Sequence, residues 1–508
     1  MLTWARADNL VLPVTMSRAT RRSEESQHDV TLKPGPITKV PLEIVTEIFK
    51  FVVFSSEEAR SHGVKDLCLV GQDWNHVAKV TPDLWTKVTL AYPFHAGQLS
   101  AAQKWLKTSE QKAIDVEIDL CDSAWDKFGE EAFHPLEDPA QLQGMIAVLR
   151  GSEHRWRSIT IKSDVWRPIH EFLRAWAVPS LPLLESISFE RCNELLGGEY
   201  IPWAPRQSFE SPILFGGNGT FMPKLREVTL SAVHVDWAST ATSFRDLRKL
   251  EIKNQHYEVG PTFEQFSALL AASPRLEFLD VTGYYPNPEA PNVADTLTET
   301  SLVHLPALKH LVFGWSRIEF ACYFLMSFQI PESLNTLSLI DTESGLGVCQ
   351  EEETGLFTYN DTSTPIFELL AYIGPSDPGN KDLLSSRVSL LGLKSLSVSW
   401  AEADPRVIVE FLKRVPMIEE IRLTDVGQGI LQGIVIFAGS QSSWSLKKIH
   451  IRWIWNGGHE LYEADVVTQL LRGRGFEVTV EKFTGQDRGS TPVAPEALFS
   501  KKAGERRP

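Results

Sequence analysis

The sequence predicts an α/β protein in which an all-helical module precedes a long solenoid with a curved parallel sheet. Residues 40–90 are dense in apolar residues at helical spacing, and a short apolar phrase recurs throughout the sequence that follows. Segments with helical periodicity separate several of these phrases, which indicates alternating strands and helices. We expect four segments: a disordered leader at 1–36, the helical module at 37–90, the solenoid at 91–483 and a disordered tail at 484–508.

The first helix of the module is expected to begin at Pro41, because proline fits the first turn of a helix. Its apolar residues form two sides, with Leu42, Val45, Phe49 and Val52 on one and Ile44, Ile48 and Phe51 on the other. A surface helix needs only one apolar stripe to pack on its own protein. The second side therefore predicts a further packing partner, which can be another protein.

A second amphipathic helix is expected after a polar loop at residues 55–65. Its apolar residues are Leu67, Val70, Trp74 and Val77, which fall at i, i+3, i+7 and i+10. The module closes with a Pro-Asp-Leu-Trp sequence at residues 82–85.

Residues 40–90 resemble an F-box, the module that docks onto the Skp-family linker protein of cullin-RING ubiquitin ligases. Three blocks of the F-box pattern occur in order, namely residues 40–49, Trp74 and residues 82–85, whereas Gly71 and Gln72 replace the usual Cys and basic residue. The resemblance implies that the linker protein is contacted by Pro41, Leu42, Ile44, Val45, Ile48, Phe49, Leu67, Val70 and Trp74. A helical cap for the following repeats is the alternative interpretation.

The recurring phrase has one apolar residue, two variable ones, a second apolar residue, one variable one and a third apolar residue. It begins at Trp156, Leu184, Leu225, Leu247, Leu276, Leu308, Leu334, Leu393, Ile418 and Leu446. Most occurrences recur after 22 to 32 residues, close to the period of leucine-rich repeats. The last two apolar positions alternate with polar ones, which is typical of a strand with one buried face.

Helices are expected between the strands at residues 263–272, 366–373, 407–415 and 466–471. Strand–helix–strand units of this kind form right-handed crossovers and a parallel sheet. The pattern resembles the irregular leucine-rich-repeat domains that follow F-boxes in many fungal proteins, although the usual repeat Asn is mostly absent. A mixed α/β globular domain is the alternative. The acidic stretch at 341–360 and residues 375–381 are expected to be loops.

Composition limits the classes of function. The net charge is −15, from 50 basic and 65 acidic residues, which disfavours nucleic-acid binding. The five cysteines form no C-x-x-C pair, so structural zinc and disulfides are not expected. No signal-peptide core and no membrane-length apolar run occur in the sequence. A cytoplasmic or nuclear protein with no membrane partner is expected.

The sequence contains no motif of a catalytic or phosphate-binding site. G-x-S-x-G, G-x-x-x-x-G-K-[ST] and H-E-x-x-H are all absent, and Gly216-Gly217-Asn218-Gly219 indicates a turn. We therefore expect a non-enzyme with no catalytic residue, no metal and no cofactor.

Recognition of a protein is then the expected function. Polar strand positions should face the concave side of the solenoid, and aromatic and Arg side chains dominate binding hot spots. The candidate substrate contacts are Tyr284, Trp315, Trp400, Arg422 and Trp453, although the Trp rings can instead pack between repeats. The expected function is that of a substrate-recognition subunit, bound to a Skp-family linker, through it to a cullin, and to an unidentified target. A leucine-rich-repeat scaffold unrelated to ubiquitination is the alternative.

Overall fold

The computed structural model shows a mixed α/β protein with one long parallel sheet, which confirms the predicted α/β class. The structure describes residues 40–55, 57–122, 140–176, 180–192, 212–216, 221–240, 242–255, 260–284, 303–315, 324, 328–342, 390–440, 445–454 and 460–483. The predicted leader, the predicted tail, residues 343–360 of the loop predicted at 341–360, the loop predicted at 375–381 and the helix predicted at 366–373 lie outside the described residues. Asp341, the first residue of the predicted acidic loop, is instead the last residue of a strand.

Thirteen strands form the main sheet in the order in which they occur along the chain, with β9 between β7 and β11, and β8 and β10 form a separate two-stranded pair. The strands are β1 (Lys87–Ala91), β2 (Ile114–Leu120), β3 (Trp156–Ser163), β4 (Ser186–Arg191), β5 (Glu227–Ser231), β6 (Lys249–Gln255), β7 (Phe278–Tyr284), β8 (Val303–His304), β9 (His310–Trp315), β10 (Phe328–Gln329), β11 (Thr336–Asp341), β12 (Ser395–Ser399), β13 (Glu420–Thr424), β14 (Lys448–Ile454) and β15 (Glu477–Phe483).

The described helices precede the sheet or connect its strands. They are α1 (Leu42–Phe54), α2 (Glu57–Val70), α3 (Gln72–Lys79), α4 (Ala96–Thr108), α5 (Ala140–Leu149), α6 (Trp166–Ala175), α7 (Trp237–Thr240), α8 (Phe263–Ala271), α9 (Pro405–Lys413), α10 (Gln428–Ser440) and α11 (Glu460–Gly473). Helices are found at three predicted places, where α8, α9 and α11 form.

The recurring phrase defines the register of the whole sheet. Its last apolar position aligns across all thirteen strands, and neighbouring pairs in this row include Ile161 with Phe189, Leu230 with Ile252 and Leu423 with Ile451. These six side chains are at most 2% exposed and belong to one core that runs from β1 to β15. Alternation is sufficient to specify this register, since a one-residue slip would turn every apolar side chain to the other face.

Local sequence signals set the ends of the connecting helices. Thr262 caps α8 by accepting the N–H of Gln265, whose side chain in turn accepts the N–H of Thr262. Asp404 caps α9 by accepting the N–H of Arg406, and Pro405 occupies the first turn.

Two expectations for the N-terminal helices are wrong. The predicted polar loop at 55–65 is mostly helical, because α2 begins at Glu57, and the predicted single second helix is divided at Gly71 into α2 and α3. Gly71 has an extended backbone, and its carbonyl accepts the N–H of Asn75 to start α3. In addition, β1 begins at Lys87 and belongs to the sheet, as the repeat-like spacing of Trp85, Val88 and Leu90 suggests, so the sheet starts before residue 91.

Candidate protein-binding surfaces

α1 has two apolar sides, and one of them fills a small core of its own. Val45, Phe49 and Val53 are spaced four residues apart, so they lie on one side of the helix. All three are buried in a cluster, separate from the core of the sheet, with Val64, Leu67, Ala78, Leu84 and Trp85. The requirement of α1 for packing within its own chain is therefore met by one side alone.

The other side of α1 and the end of α2 are exposed. Ile44 is 52% exposed, Ile48 is 48% and Phe51 is 77%, and Leu69 at the end of α2 is 83% exposed. We call this set the outer apolar surface, and its members are Leu42, Ile44, Ile48, Phe51, Val52, Leu69 and Val70. Of the sixteen large apolar side chains exposed in the described part of the chain, ten lie between residues 40 and 80. Such a concentration is typical of a surface that binds a partner.

The structure divides the residues predicted to contact a linker protein. Four of them, Leu42, Ile44, Ile48 and Val70, lie on the outer apolar surface, and Pro41 is an exposed residue that precedes α1.

The remaining four do not offer an open face to a partner. Val45, Phe49 and Leu67 are buried in the small core, which corrects their predicted exposure to a partner. Trp74 is partly buried, with its ring centroid 4.9 Å from that of Phe49. Helical spacing correctly grouped Val45 with Phe49 and Ile44 with Ile48 and Phe51. It also grouped Leu42 and Val52 with the buried pair, although both are exposed, and it could not show which stripe faces inward.

The small core is attached to the first part of the sheet by aromatic and ionic contacts. The Trp85 indole donates to the carbonyl of Ala78 at 2.7 Å, and its ring meets that of Trp105 on α4 edge to face, with centroids 5.2 Å apart. The Asp83 carboxylate pairs with Lys112 at 2.7 Å and with Lys50 at 3.2 Å. The hydrogen bond from Lys112 is the main reason that the pKa of Asp83 lies below its usual value.

A second candidate surface lies on the polar face of β13 and β14. Arg422 donates from Nε and Nη2 to one oxygen of Glu420, at 3.1 and 3.0 Å. Nε2 of His450, which is aligned with Arg422, lies 3.0 Å from the same oxygen. The side chains of Arg422 and His450 are each 38% exposed, so these polar groups can be reached by a partner.

The aromatic residues predicted to contact a substrate have different environments. Trp315 is 2% exposed and its ring stacks near that of Phe313, so it packs inside the protein and is not an accessible contact. Trp400 is partly buried, and its backbone N–H donates to the carbonyl of Thr424 at 2.9 Å. The side chains of Tyr284 and Trp453 lie outside the described part of the structure.

On β6, the polar face of the sheet carries a charged cluster in which Glu251 and Lys253 are buried, although polar strand positions were expected to be open to a partner. Lys253 donates to Glu251 at 2.8 Å, and Lys249 pairs with the other oxygen of that carboxylate. Burial raises the pKa of Glu251, but the two lysines outweigh it and the pKa is lowered overall. Next to this cluster on β7, burial raises the pKa of Asp280 to about 6.

The alternation of apolar and polar residues predicts that Glu251 and Asp280 share one face of the sheet. It could not predict that both side chains are buried there. Glu251 is only 5% exposed and Asp280 only 2%. They are therefore poor candidates for direct contact with a protein partner.

Within the described ranges, no group of three or more His, Cys, Asp or Glu side chains is arranged to hold a metal ion. Nor does any helix among the described residues have the length and apolar content needed to cross a membrane. No protein-family model matches the sequence, and no curated protein is significantly similar to it.

Proposed function

We propose that this protein is a non-catalytic substrate-receptor subunit of a Skp–cullin–F-box-type ubiquitin ligase, acting in the cytoplasm or nucleus. The observation that carries the proposal is the outer apolar surface. It lies on α1 and the end of α2, within the residues 40–90 that resemble an F-box, and it remains exposed after Val45, Phe49 and Val53 have filled the small core. A Skp-family linker protein would bury Ile44, Ile48 and Phe51, which form a stripe at i, i+4 and i+7.

The long sheet supports the other half of the proposal, an irregular leucine-rich-repeat solenoid that holds the target. The same backbone conformation recurs two residues after the last apolar position of the phrase, since Asn254, Gly283, Trp400 and Asp425 all have positive φ. A shared backbone turn indicates a shared repeat unit even where the side chains differ. Bulky residues such as Trp rarely adopt this conformation, so the turn is imposed by the repeat.

Binding of both partners would accelerate ubiquitin transfer without a catalytic group on this chain. The small core is attached to the sheet through Trp85, Trp105 and Asp83. A target bound to the sheet would therefore be held at a limited range of distances from the linker protein and the enzyme that it recruits. Raised local concentration and orientation would supply the rate gain.

The test is co-purification of the full chain with a Skp-family protein. The variant Ile44→Asp/Ile48→Asp should lose binding at least tenfold, because it places two charges within the proposed contact. Ile436→Asp is the matched control, since Ile436 on α10 is 54% exposed but lies far along the sequence from the proposed contact. It should bind like the wild type.

Circular dichroism and thermal melting of the three proteins should confirm that all are folded. If the wild type fails to bind, or if the double variant binds as well as Ile436→Asp, the proposal is wrong. If binding occurs but captured targets carry no ubiquitin, the scaffold interpretation replaces it.

A further inference from the structure

Two cysteines meet at one end of the sheet. Cys121 directly follows β2 and Cys192 directly follows β4, and the two positions flank the end of β3 because Ser163 aligns with both Leu120 and Arg191. The N–H of Cys192 donates to the carbonyl of Ser163 at 2.8 Å. Both cysteines are partly buried and carry free thiols, which are hydrogen-bonded to each other.

The position beyond the strand ends makes this contact possible. Two strands separated by a third lie about 9.6 Å apart, which is too far for a disulfide between their central residues. Past the end of β3, however, the thiols of Cys121 and Cys192 reach each other. Asp164, the residue that follows β3, accepts the N–H of Asp122 at 2.6 Å and anchors the segment after Cys121.

The hydrogen bond between the two thiols shifts their pKa values in opposite directions. The hydrogen bond from Cys121 is the main cause that lowers the pKa of Cys192, and Lys162 lowers it further. The same hydrogen bond and burial raise the pKa of Cys121, as do the carboxylates of Asp164 and Asp119. Cys192 is therefore the better nucleophile, and Cys121 retains the proton. A thiolate attacks a disulfide far faster than a thiol does.

We propose that Cys121 and Cys192 form an oxidisable dithiol that low-molecular-weight disulfides, such as oxidised glutathione, convert to an intramolecular disulfide. The Cys192 thiolate attacks one sulfur of the reagent, the reagent's S–S bond breaks, and one glutathione thiolate leaves and takes up a proton. The Cys121 sulfur then loses its proton and attacks Cys192 in the mixed disulfide, which releases the second glutathione. Two protein thiols are oxidised and one glutathione disulfide is reduced to two thiols.

The product would join the ends of β2 and β4 across β3 and fix the first part of the sheet. Intracellular disulfides of this kind are usually transient and redox-sensing. This inference is independent of the proposed function, because it concerns thiols outside the outer apolar surface.

The test uses the reduced full chain, treated with oxidised glutathione, quenched with an alkylating reagent and mapped by peptide mass spectrometry. We expect one linked peptide pair containing Cys121 and Cys192, lighter than the free peptides by two hydrogen atoms and restored by a thiol reductant. The link should form equally in Cys68→Ser, which removes a thiol of the small core whose pKa is raised by burial.

Single variants test the order of attack. Cys121→Ser should accumulate a glutathione adduct on Cys192, and Cys192→Ser should form the adduct on Cys121 at least tenfold more slowly. Serine is close in size to cysteine, so circular dichroism should show that both variants fold. Recovery of both cysteines alkylated, or linkage of either one mainly to Cys68, Cys322 or Cys349, would overturn the proposal. Equal rates in the two single variants would overturn the assigned order.

Discussion

Asp280 is the residue at which burial and charge conflict most directly. It is 2% exposed, and its carboxylate accepts the hydroxyl of Thr282 at 2.6 Å. Lys253 and Lys249 favour its charged form, and Glu251 opposes it. Burial outweighs the lysines, so the pKa of Asp280 rises from its ordinary value of 3.8 to about 6.

This shift makes Asp280 a source of pH-dependent instability. Between about pH 4 and pH 6 the folded protein holds a proton on Asp280 that the unfolded chain has released. The unfolding free energy therefore falls as pH rises through this window. The effect is at most about 3 kcal/mol, at 1.36 kcal/mol per pKa unit.

Asp280→Asn should remove this dependence, because asparagine keeps an acceptor for Thr282 and carries no charge. Relative to the wild type, its unfolding free energy should be higher at pH 7 than at pH 4, by up to about 3 kcal/mol. Urea denaturation at both pH values measures the difference. Asp66→Asn, at an exposed position on α2, gives the background pH dependence. A difference between Asp280→Asn and the wild type that does not change with pH would contradict the assignment.

The residues of the candidate site were predicted only in part, because the sequence does not show which side of a helix or strand is buried. Helical periodicity separated Val45 from Ile44 on α1, but the two side chains are equally apolar in the sequence. Only the positions of α2 and α3 decide that Val45 faces the small core and Ile44 faces outward. Likewise, Glu251 and Arg422 occupy equivalent polar positions, yet one is buried and the other partly exposed.

At the scale of elements, α9 and α10 are packed closely because of a glycine. A Cβ placed on Gly433 of α10 would lie 2.6 Å from Cβ of Ile408 and 2.9 Å from the carbonyl oxygen of Pro405, both on α9. Neither atom belongs to the end of a flexible side chain. The close approach of the two helices therefore requires glycine at this position.

Gly433→Ala should lower the unfolding free energy by about 1–3 kcal/mol, because the clash with α9 outweighs the better helix propensity of alanine. Gly473→Ala is the matched control, since Gly473 is also helical but has no heavy atom within 4 Å of its added Cβ. It should be neutral or stabilising by up to about 1 kcal/mol. Thermal and urea denaturation measure both variants. Equal stability changes would show that α9 and α10 separate without cost.

The predicted strands were more reliable than the predicted helices. Ten strands follow a phrase whose alternation is imposed by one buried face, as Leu250 and Ile252 illustrate. β2 and β15 alternate as well, but only the small residues Ala113 and Gly475 stand at the leading position of the phrase, and neither strand was predicted. The start of α2 was not predicted because residues 57–63 are mostly polar and carry no apolar period.

The main sheet is a series of neighbours, since each strand is hydrogen-bonded to the strands beside it. Stability in such an arrangement is transmitted from one unit to the next, so the ends can open independently. At one end, β15 has a strand on one side only among the described residues, and Glu477, Glu481 and Lys482 along it disfavour pairing with other chains. At the other end, α1, α2 and α3 depend on their attachment to α4.

That attachment depends on Trp105. Its ring meets Trp85 edge to face, and α4 is held in place by Arg155, which donates to the carbonyls of Leu106 and Lys112. Trp105→Ala should remove roughly 2–3 kcal/mol of packing between the small core and α4. Hydrogen exchange of α1–α3 amides should accelerate at least tenfold, whereas exchange in β6–β9 should not change.

Leu99→Ala is the matched control for that experiment, because Leu99 lies on α4 but packs on the main core. Leu99→Ala should weaken the packing of α4 against the sheet. The rates of amide hydrogen exchange in α1–α3 should stay closer to those of the wild type than they do in Trp105→Ala. If Trp105→Ala leaves α1–α3 protected, the small core is stable alone and the receptor cannot rely on this contact to orient its target. If β6–β9 also lose protection, the sheet unfolds as one cooperative unit, contrary to the neighbour-by-neighbour account.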